Sequence, residues 1–368
     1  MSMLQRHPPL ADVHTAAGAS TTEFGGWEMP VEFDSIRTEH AAVRESVGIF
    51  DVSHMSQIEV IGPDSTELTN RLTTNDVTAL SPSDAQYACI TREDGVILDD
   101  TVVYRCADHD GHPAYLFIPN AGHDRQFTDR WIDHRDEWDL DASIENTTDQ
   151  WAMFAVQGPE SSALLAQVVD DSVTALNRFE HTTIDISGFE CRIARTGYTG
   201  ENGFEILCPT QAAETIWNEF DCQPCGLGAR DTLRIEMGFL LSGQDFDPDD
   251  QPRTPYEASV GFTIDLETEF VGRDALSDQR EAETDQQFIG ITMLDRGVPR
   301  EGYTVVDSDG EQIGELTSGT MSPTRNEPIG LGYLDAPRAA PGQSVEIVVR
   351  GNRKRAEVTN LPFVSKQS

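Results

Sequence analysis

The chain has 368 residues, 38% hydrophobic and 8% aromatic, which supports two or three folded domains and excludes a disordered chain. Acidic side chains number 64 against 26 basic ones, a formal net charge of −38. That field repels nucleic-acid phosphates and anionic membrane surfaces, so neither is an expected partner.

No apolar run reaches the roughly 18 residues of a membrane span. The start, MSMLQRHPPLADVHT, lacks the charged leader and apolar stretch of a secretory signal. Among the cations only Lys354 and Lys366 are lysines. Heavy acidity with so little lysine predicts a protein built for concentrated salt, where a Debye length of about 3 Å at 1 M screens self-repulsion. An ordinary acidic enzyme is the alternative. The cysteines Cys89, Cys106, Cys191, Cys208, Cys222 and Cys225 fit a reducing cytoplasm. Cys222-Gln-Pro-Cys225 has no second CxxC or HxxxH to complete a zinc set, so no metal site is expected.

In chain order, Ser35 to Val47 predicts a helix capped by Asp34 or Ser35 and ended by Gly48, with Ile36, Val43 and Val47 near one face. A strand, QIEVIG, and a helix, STELTNRL, follow; Leu68 and Leu72 are spaced i, i+4. AQYACI and VILDDTVVY read as a hairpin about Arg92-Glu93-Asp94-Gly95. Then come a strand AYLFIPN, a helix carrying Phe127, Trp131 and Ile132, a buried strand WAMFAVQG, and a helix opened by Pro159. A second hairpin joins FECRIART to GFEILCP through GYTGEN, followed by helices AAETIWNEF and GLGARDTLRIEMGFLL. The polar stretch Ser277 to Gln287 reads as a linker, and from about Phe288 short strands punctuated by Gly, Pro and Asp-Gly predict a small all-β domain. The fold class is therefore α+β, with a mixed region over 1–284 and a barrel over 285–368.

No Walker A loop and no GxSxG elbow occur. Three other features carry chemistry. Asp99 and Asp100 sit inside an apolar strand, and alternation sends them to opposite faces, so at least one points to the interior or a cleft. A structural Asp accepting backbone hydrogen bonds is the other reading. The turn Thr196 to Glu205 places Gly197, Gly200 and Gly203 where backbone can approach a ligand, with Tyr198 offering a flat ring and Glu205 two acceptors; a ligand-free glycine hairpin also fits. In G-L-G-A-R-D, Arg230 lies near a helix N-terminus, a place for a carboxylate or phosphate; a salt bridge to Asp231 or a neighbour also fits. Together the three outline a ligand with a hydrogen-bonding flat ring at one end and carboxylates at the other.

These motifs, with F-G-G-W-E-M-P, V-G-I-F-D-V-S-H-M, D-G-V-I-L-D-D, A-V-Q-G-P, R-T-G-Y-T-G-E-N-G-F-E, L-S-G-Q-D, T-S-G-T-M-S-P-T and L-P-F-V, occur in order from about Phe24 to Val364. The chain resembles the T-protein of the glycine cleavage system, an aminomethyltransferase family. The resemblance implies a three-domain fold: two interleaved α+β domains around a central folate channel, and a C-terminal β-barrel. It implies transfer of the methylene carbon of an aminomethyl group from the lipoyl arm of H-protein to tetrahydrofolate as co-substrate, giving 5,10-methylenetetrahydrofolate and ammonia. The implied partners are lipoylated H-protein and, in the same system, the P- and L-proteins; the implied location is cytoplasmic. By the same resemblance Asp100 falls on the key carboxylate beside the folate nitrogens, activating the attacking nitrogen and stabilising the positive centre that develops. Arg230 falls on the arginine positioning Asp100 and folate, Glu205 on the acid accepting from the pterin, and Met55, Tyr87, Tyr198 and Asn120 on ring or channel contacts.

Three positions depart from the family pattern. Phe262, a folate-contact position by the same resemblance, stands where many relatives have tryptophan and offers less stacking area; Asn202 replaces an aspartate near the site, and the tail VSKQS lacks a tyrosine found in some relatives. A relative in iron–sulfur assembly carries K-G-C-Y-x-G-Q where this chain has R-T-G-Y-T-G-E. Folate-dependent demethylases of small amine or sulfonium donors are the closer alternative, and a non-catalytic folate-binding module is a third. Arg350, Arg353, Lys354 and Arg355 form a local basic turn, an expected foothold for an acidic H-protein or a solvated hairpin turn.

Overall fold

The structure, a computed structural model, describes residues 5–365; the tail beyond Ser365 lies outside the described residues. The chain divides into two compact units. One comprises Met1–Ile90, Asp99–Arg230 and Glu267–Phe270; the other comprises Thr91–Leu98, Asp231–Leu266 and Val271–Ser368.

The first unit carries two larger sheets. One runs Ala85–Thr91, Ile97–His109, His112–Ile118, Ile58–Ile61, Ser143–Asn146. Strands Ala85–Thr91 and Ile97–His109 are the arms of the predicted hairpin, and Gly95, in the segment Thr91–Leu98 assigned to the second unit, takes φ +82° in its turn. Period-2 burial along Ile58–Ile61 fixes the register, since slipping by one residue would turn Ile58 and Val60 outward. Helices Ser65–Leu72 and Asp124–Glu137 cover the sheet with their apolar stripes. Trp131 stacks on Phe117 at 4.2 Å between ring centroids.

The other sheet has six strands: His181–Ile186, Phe189–Ala194, Gly203–Pro209, Trp151–Gln157, Gly48–Asp51 and Gln223–Cys225. Phe154, Phe204, Ile206 and Ile216 are fully buried in its core. Each such side chain contributes about 1.5–3 kcal/mol by leaving water.

The first helix is shorter than the sequence suggests. It spans Ile36–Glu45, with the Ser35 hydroxyl accepting from the Thr38 N–H at 3.2 Å. Gly48 does not end it. Gly48 opens a strand paired on both sides, and a Cβ there would lie 2.6 Å from Cys225 Sγ. The glycine serves strand packing.

In the second unit the predicted all-β domain is a closed barrel, ordered Gln286–Met293, Glu327–Asp335, Gln312–Ser322, Thr304–Val306, Ser344–Val349, Asn352–Thr359. Ile291, Leu316, Leu334 and Ile347 fill it. Closure removes the open edges that would otherwise invite pairing with another chain. The expected linker is mostly helix, Arg273–Ala282. Its single fully buried apolar residue, Leu276, packs against Gly95. One anchor gives no visible periodicity, which is why the segment reads as a polar linker.

Candidate active site

Strand Ile97–His109 alternates as its sequence predicts, burying Asp99 completely and leaving Asp100 half-buried on the other face. Tyr87, from the neighbouring strand, donates its hydroxyl to Asp100 Oδ2 at 2.6 Å. Asn120 Nδ2 donates to Asp100 Oδ1 at 2.7 Å. Loss of hydration, then the adjacent Asp99 charge, pushes the Asp100 carboxyl up to about 6, while the two hydrogen bonds pull it down. Burial and the same carboxylate push the Tyr87 phenol well above its ordinary value. The result is a fixed carboxylate whose proton affinity lies near neutrality, suited to steering or receiving a proton.

The glycine turn presents Tyr198 and Glu205. The Arg230 guanidinium lies 4.6 Å over the Tyr198 ring, a cation–π contact that holds the ring from one face. The Thr196 hydroxyl donates to Glu205 Oε2. Burial pushes Glu205 up, opposed by Thr196 and by Arg230. Gly226, at the start of helix Leu227–Met237, gives its N–H to the buried Glu39 carboxylate at 2.8 Å. Asp231 pairs with Arg234 at 2.8 Å.

The reason for the glycines differs from the expectation. A Cβ on Gly197 would come 2.1 Å from the Gln157 side chain, and one on Gly203 would come 2.4 Å. The close approach is to the protein's own glutamine. Gly200, at φ +83°, makes the turn. Gln157 then clamps the loop: its Nε2 donates to the Thr196 carbonyl at 3.1 Å, and its Oε1 accepts from the Thr199 hydroxyl at 2.8 Å. Arg44 adds a second clamp through the Thr199 carbonyl and Glu201, both at 2.8 Å.

Met55, Tyr87, Asp100, Asn120, Tyr198, Glu205 and Arg230 all belong to the first unit and are all half-buried. Phe262 belongs to the second unit and is 76% exposed. Asn202 is exposed and accepts from Arg195 at 3.3 Å. In the basic turn, Arg353 pairs with Glu346 at 3.3 Å and Arg355 with Asp295 at 2.9 Å, so two of its four cations face carboxylates.

Gln157, Thr196 and His123 escaped the sequence reading as site residues. Gln157 stands in the motif A-V-Q-G-P, and a polar glutamine closing the apolar run WAMFAV is the signal that could have found it. His54 is fully buried and edge-on to Phe24 at 5.4 Å; burial and the Arg230 charge push it well below its ordinary value, so it is neutral. Among the described residues, no cluster of three His, Cys, Asp or Glu side chains is placed to hold a metal, and no helix is long and apolar enough to cross a membrane.

Residues 10–268 match the family model described as the GCVT N-terminal domain, and residues 286–365 match the glycine cleavage T-protein C-terminal barrel domain. The chain belongs to the glycine cleavage T-protein family. Among its relatives, the probable aminomethyltransferase of Haloarcula marismortui is 57% identical over 99% of this chain and 100% of its own length. The aminomethyltransferase of Bacillus subtilis is 40% identical, again over 99% and 100%. The crystal structure of the glycine cleavage system aminomethyltransferase T from Bartonella henselae is similar with a TM-score of 0.90 and 28% identity, covering 98% of this chain and 99% of that one. Full-length similarity to T-proteins of this name makes the chain an enzyme of the aminomethyltransferase class.

Proposed function

We propose that the protein transfers the methylene carbon of an aminomethyl group from the lipoyl arm of H-protein to tetrahydrofolate, releasing ammonia. The observation that carries this reading is the Asp100 carboxylate, gripped by Tyr87 and Asn120 at 2.6 and 2.7 Å with its proton affinity raised to about 6. The donor set fits the co-substrate. A reduced pterin presents ring N–H and amino donors, which call for carboxylate acceptors such as Glu205 and Asp100. Tyr198, braced by Arg230, offers a stacking face.

Tetrahydrofolate, when bound, supplies two nucleophilic N–H groups and carries off the carbon. Its two displaced protons balance the reaction: one ends on the lipoyl sulfur, the other on the departing amine. Asp100 orients the nitrogen and stabilises positive charge at the carbon as the C–S and C–N bonds exchange. Glu205 and Arg230 fix the ring so that the nitrogens meet the carbon, and much of the rate comes from that proximity.

The test is direct. Purified protein receives tetrahydrofolate with aminomethylated H-protein, sarcosine or a sulfonium donor, and methylenetetrahydrofolate, methyltetrahydrofolate and ammonia are measured. Stoichiometric methylenetetrahydrofolate and ammonia with H-protein alone is the expected result. Turnover with sarcosine or the sulfonium, and none with H-protein, would replace this reading with a demethylase.

A further inference from the structure

Asp99 precedes the carboxylate that carries the chemistry and faces the opposite way. It is fully buried. Its Oδ2 accepts from the Asn120 backbone N–H at 2.9 Å and lies 3.0 Å from His123 Nδ1. Its Oδ1 accepts from Asn120 Nδ2 at 2.7 Å, and the same nitrogen donates to Asp100 Oδ1 at 2.7 Å. A carboxamide nitrogen has two hydrogens, so each carboxylate takes one. The flipped amide would set its oxygen against two anions, which fixes the assignment. Asn120 is therefore a cross-brace between two neighbouring carboxylates that would otherwise repel. Facing Asp99, His123 carries its proton on Nδ1. Its side chain is 32% exposed.

We propose that Asp99 and His123 are positioning residues for the methylene transfer: the buried carboxylate, steadied by the imidazole, holds Asn120, and Asn120 holds Asp100 in its working orientation. Neither residue touches the reacting atoms. The inference rests on the role given to Asp100 and deepens it, because one of the two donors that grip Asp100 is itself held from behind. The charged and titratable groups around Asp99 and His123 are Asp100 on the shared strand and Tyr87 from strand Ala85–Thr91; Tyr198 and Arg230 continue the cluster beyond Tyr87, and Asn120 is the neutral donor between the carboxylates.

The full-length protein is assayed with H-protein and tetrahydrofolate. Asp99→Asn keeps an acceptor for Asn120 and a partner for the other His123 tautomer, but removes the charge. It should lower kcat about 10- to 100-fold, leave the KM for tetrahydrofolate within about threefold, and move the acid limb of kcat/KM to lower pH. His123→Ala should lower kcat, and His123→Asn, which restores a donor near the Nδ1 position, should recover most of it. A merely structural role predicts lost thermal stability, a KM for tetrahydrofolate that changes along with kcat and no difference between the two His123 variants, and that result overturns the proposal; the shift of the acid limb follows from the lost Asp99 charge in either case. Should Asp99→Asn fail to fold, equal kcat for the two His123 variants overturns it alone. Asp100→Asn, run alongside, separates the layers: full rate there defeats the function, whereas loss there with native kinetics in the Asp99 and His123 variants defeats only this inference.

Discussion

At the scale of single residues, a strand, a tyrosine and an asparagine together hold one carboxylate. Asp100 has its pKa raised to about 6 in the folded protein, from an ordinary 3.8. In the proposed mechanism the ionised form steers the nitrogen, so kcat/KM should fall as pH drops through about 6, and a pH–rate profile checks this. Tyr87→Phe removes a hydrogen bond that favours the ionised form; the acid limb should move to higher pH and kcat should fall about tenfold. The same shift bears on stability. A carboxyl raised on folding binds its proton more tightly in the native state, so its contribution is lost as pH rises from about 4 to 6. Asp100→Asn should therefore stabilise the protein at pH 7 by about 1–2 kcal/mol and leave it unchanged at pH 4, measured by urea unfolding. The opposed faces of Asp99 and Asp100 were legible from alternation alone. Their partners were not, because Tyr87, Asn120 and His123 reach them through sheet neighbours that no local pattern specifies.

At the scale of elements, glycine meant packing as often as it meant turning. The pattern Gly197, Gly200, Gly203 marked an unusual loop, yet only Gly200 is there for its backbone angle. The other two make room for Gln157, whose clamp sets where Tyr198 stands. Gly203→Ala should destabilise the protein by about 1–3 kcal/mol, by overpacking, and raise the KM for tetrahydrofolate; thermal unfolding and steady-state kinetics check both. The hairpins, most helices and the barrel strands were legible because their apolar residues repeat with period 2 or 3.6. Helix Arg273–Ala282 was hidden because Leu276 is its one buried residue and a single apolar anchor shows no period, and helix Ile36–Glu45 was overextended because Gly48 imitates a stop signal.

For the whole molecule the dominant quantity is charge. A net charge of −38 repels itself in dilute buffer. The melting temperature should rise as KCl goes from about 0.1 to 2 M, with most of the gain where the Debye length falls below the spacing of surface carboxylates. A scanning calorimetry series checks this, and a melting temperature that falls with salt would contradict it. The net charge itself was readable from composition, since long-range repulsion depends on the sum of charges more than on their placement. The pairing of Arg355 with Asp295 was not readable, because barrel closure sets strand Gln286–Met293 beside strand Asn352–Thr359, whereas Arg353 meets Glu346 across its own hairpin.

The most direct measurement is single-turnover formation of methylenetetrahydrofolate from aminomethylated H-protein by Asp100→Asn, with folding and folate binding verified in the same sample. The account predicts a rate at least about 100-fold below the native one with folate affinity largely kept. A native rate from that folded variant would contradict it.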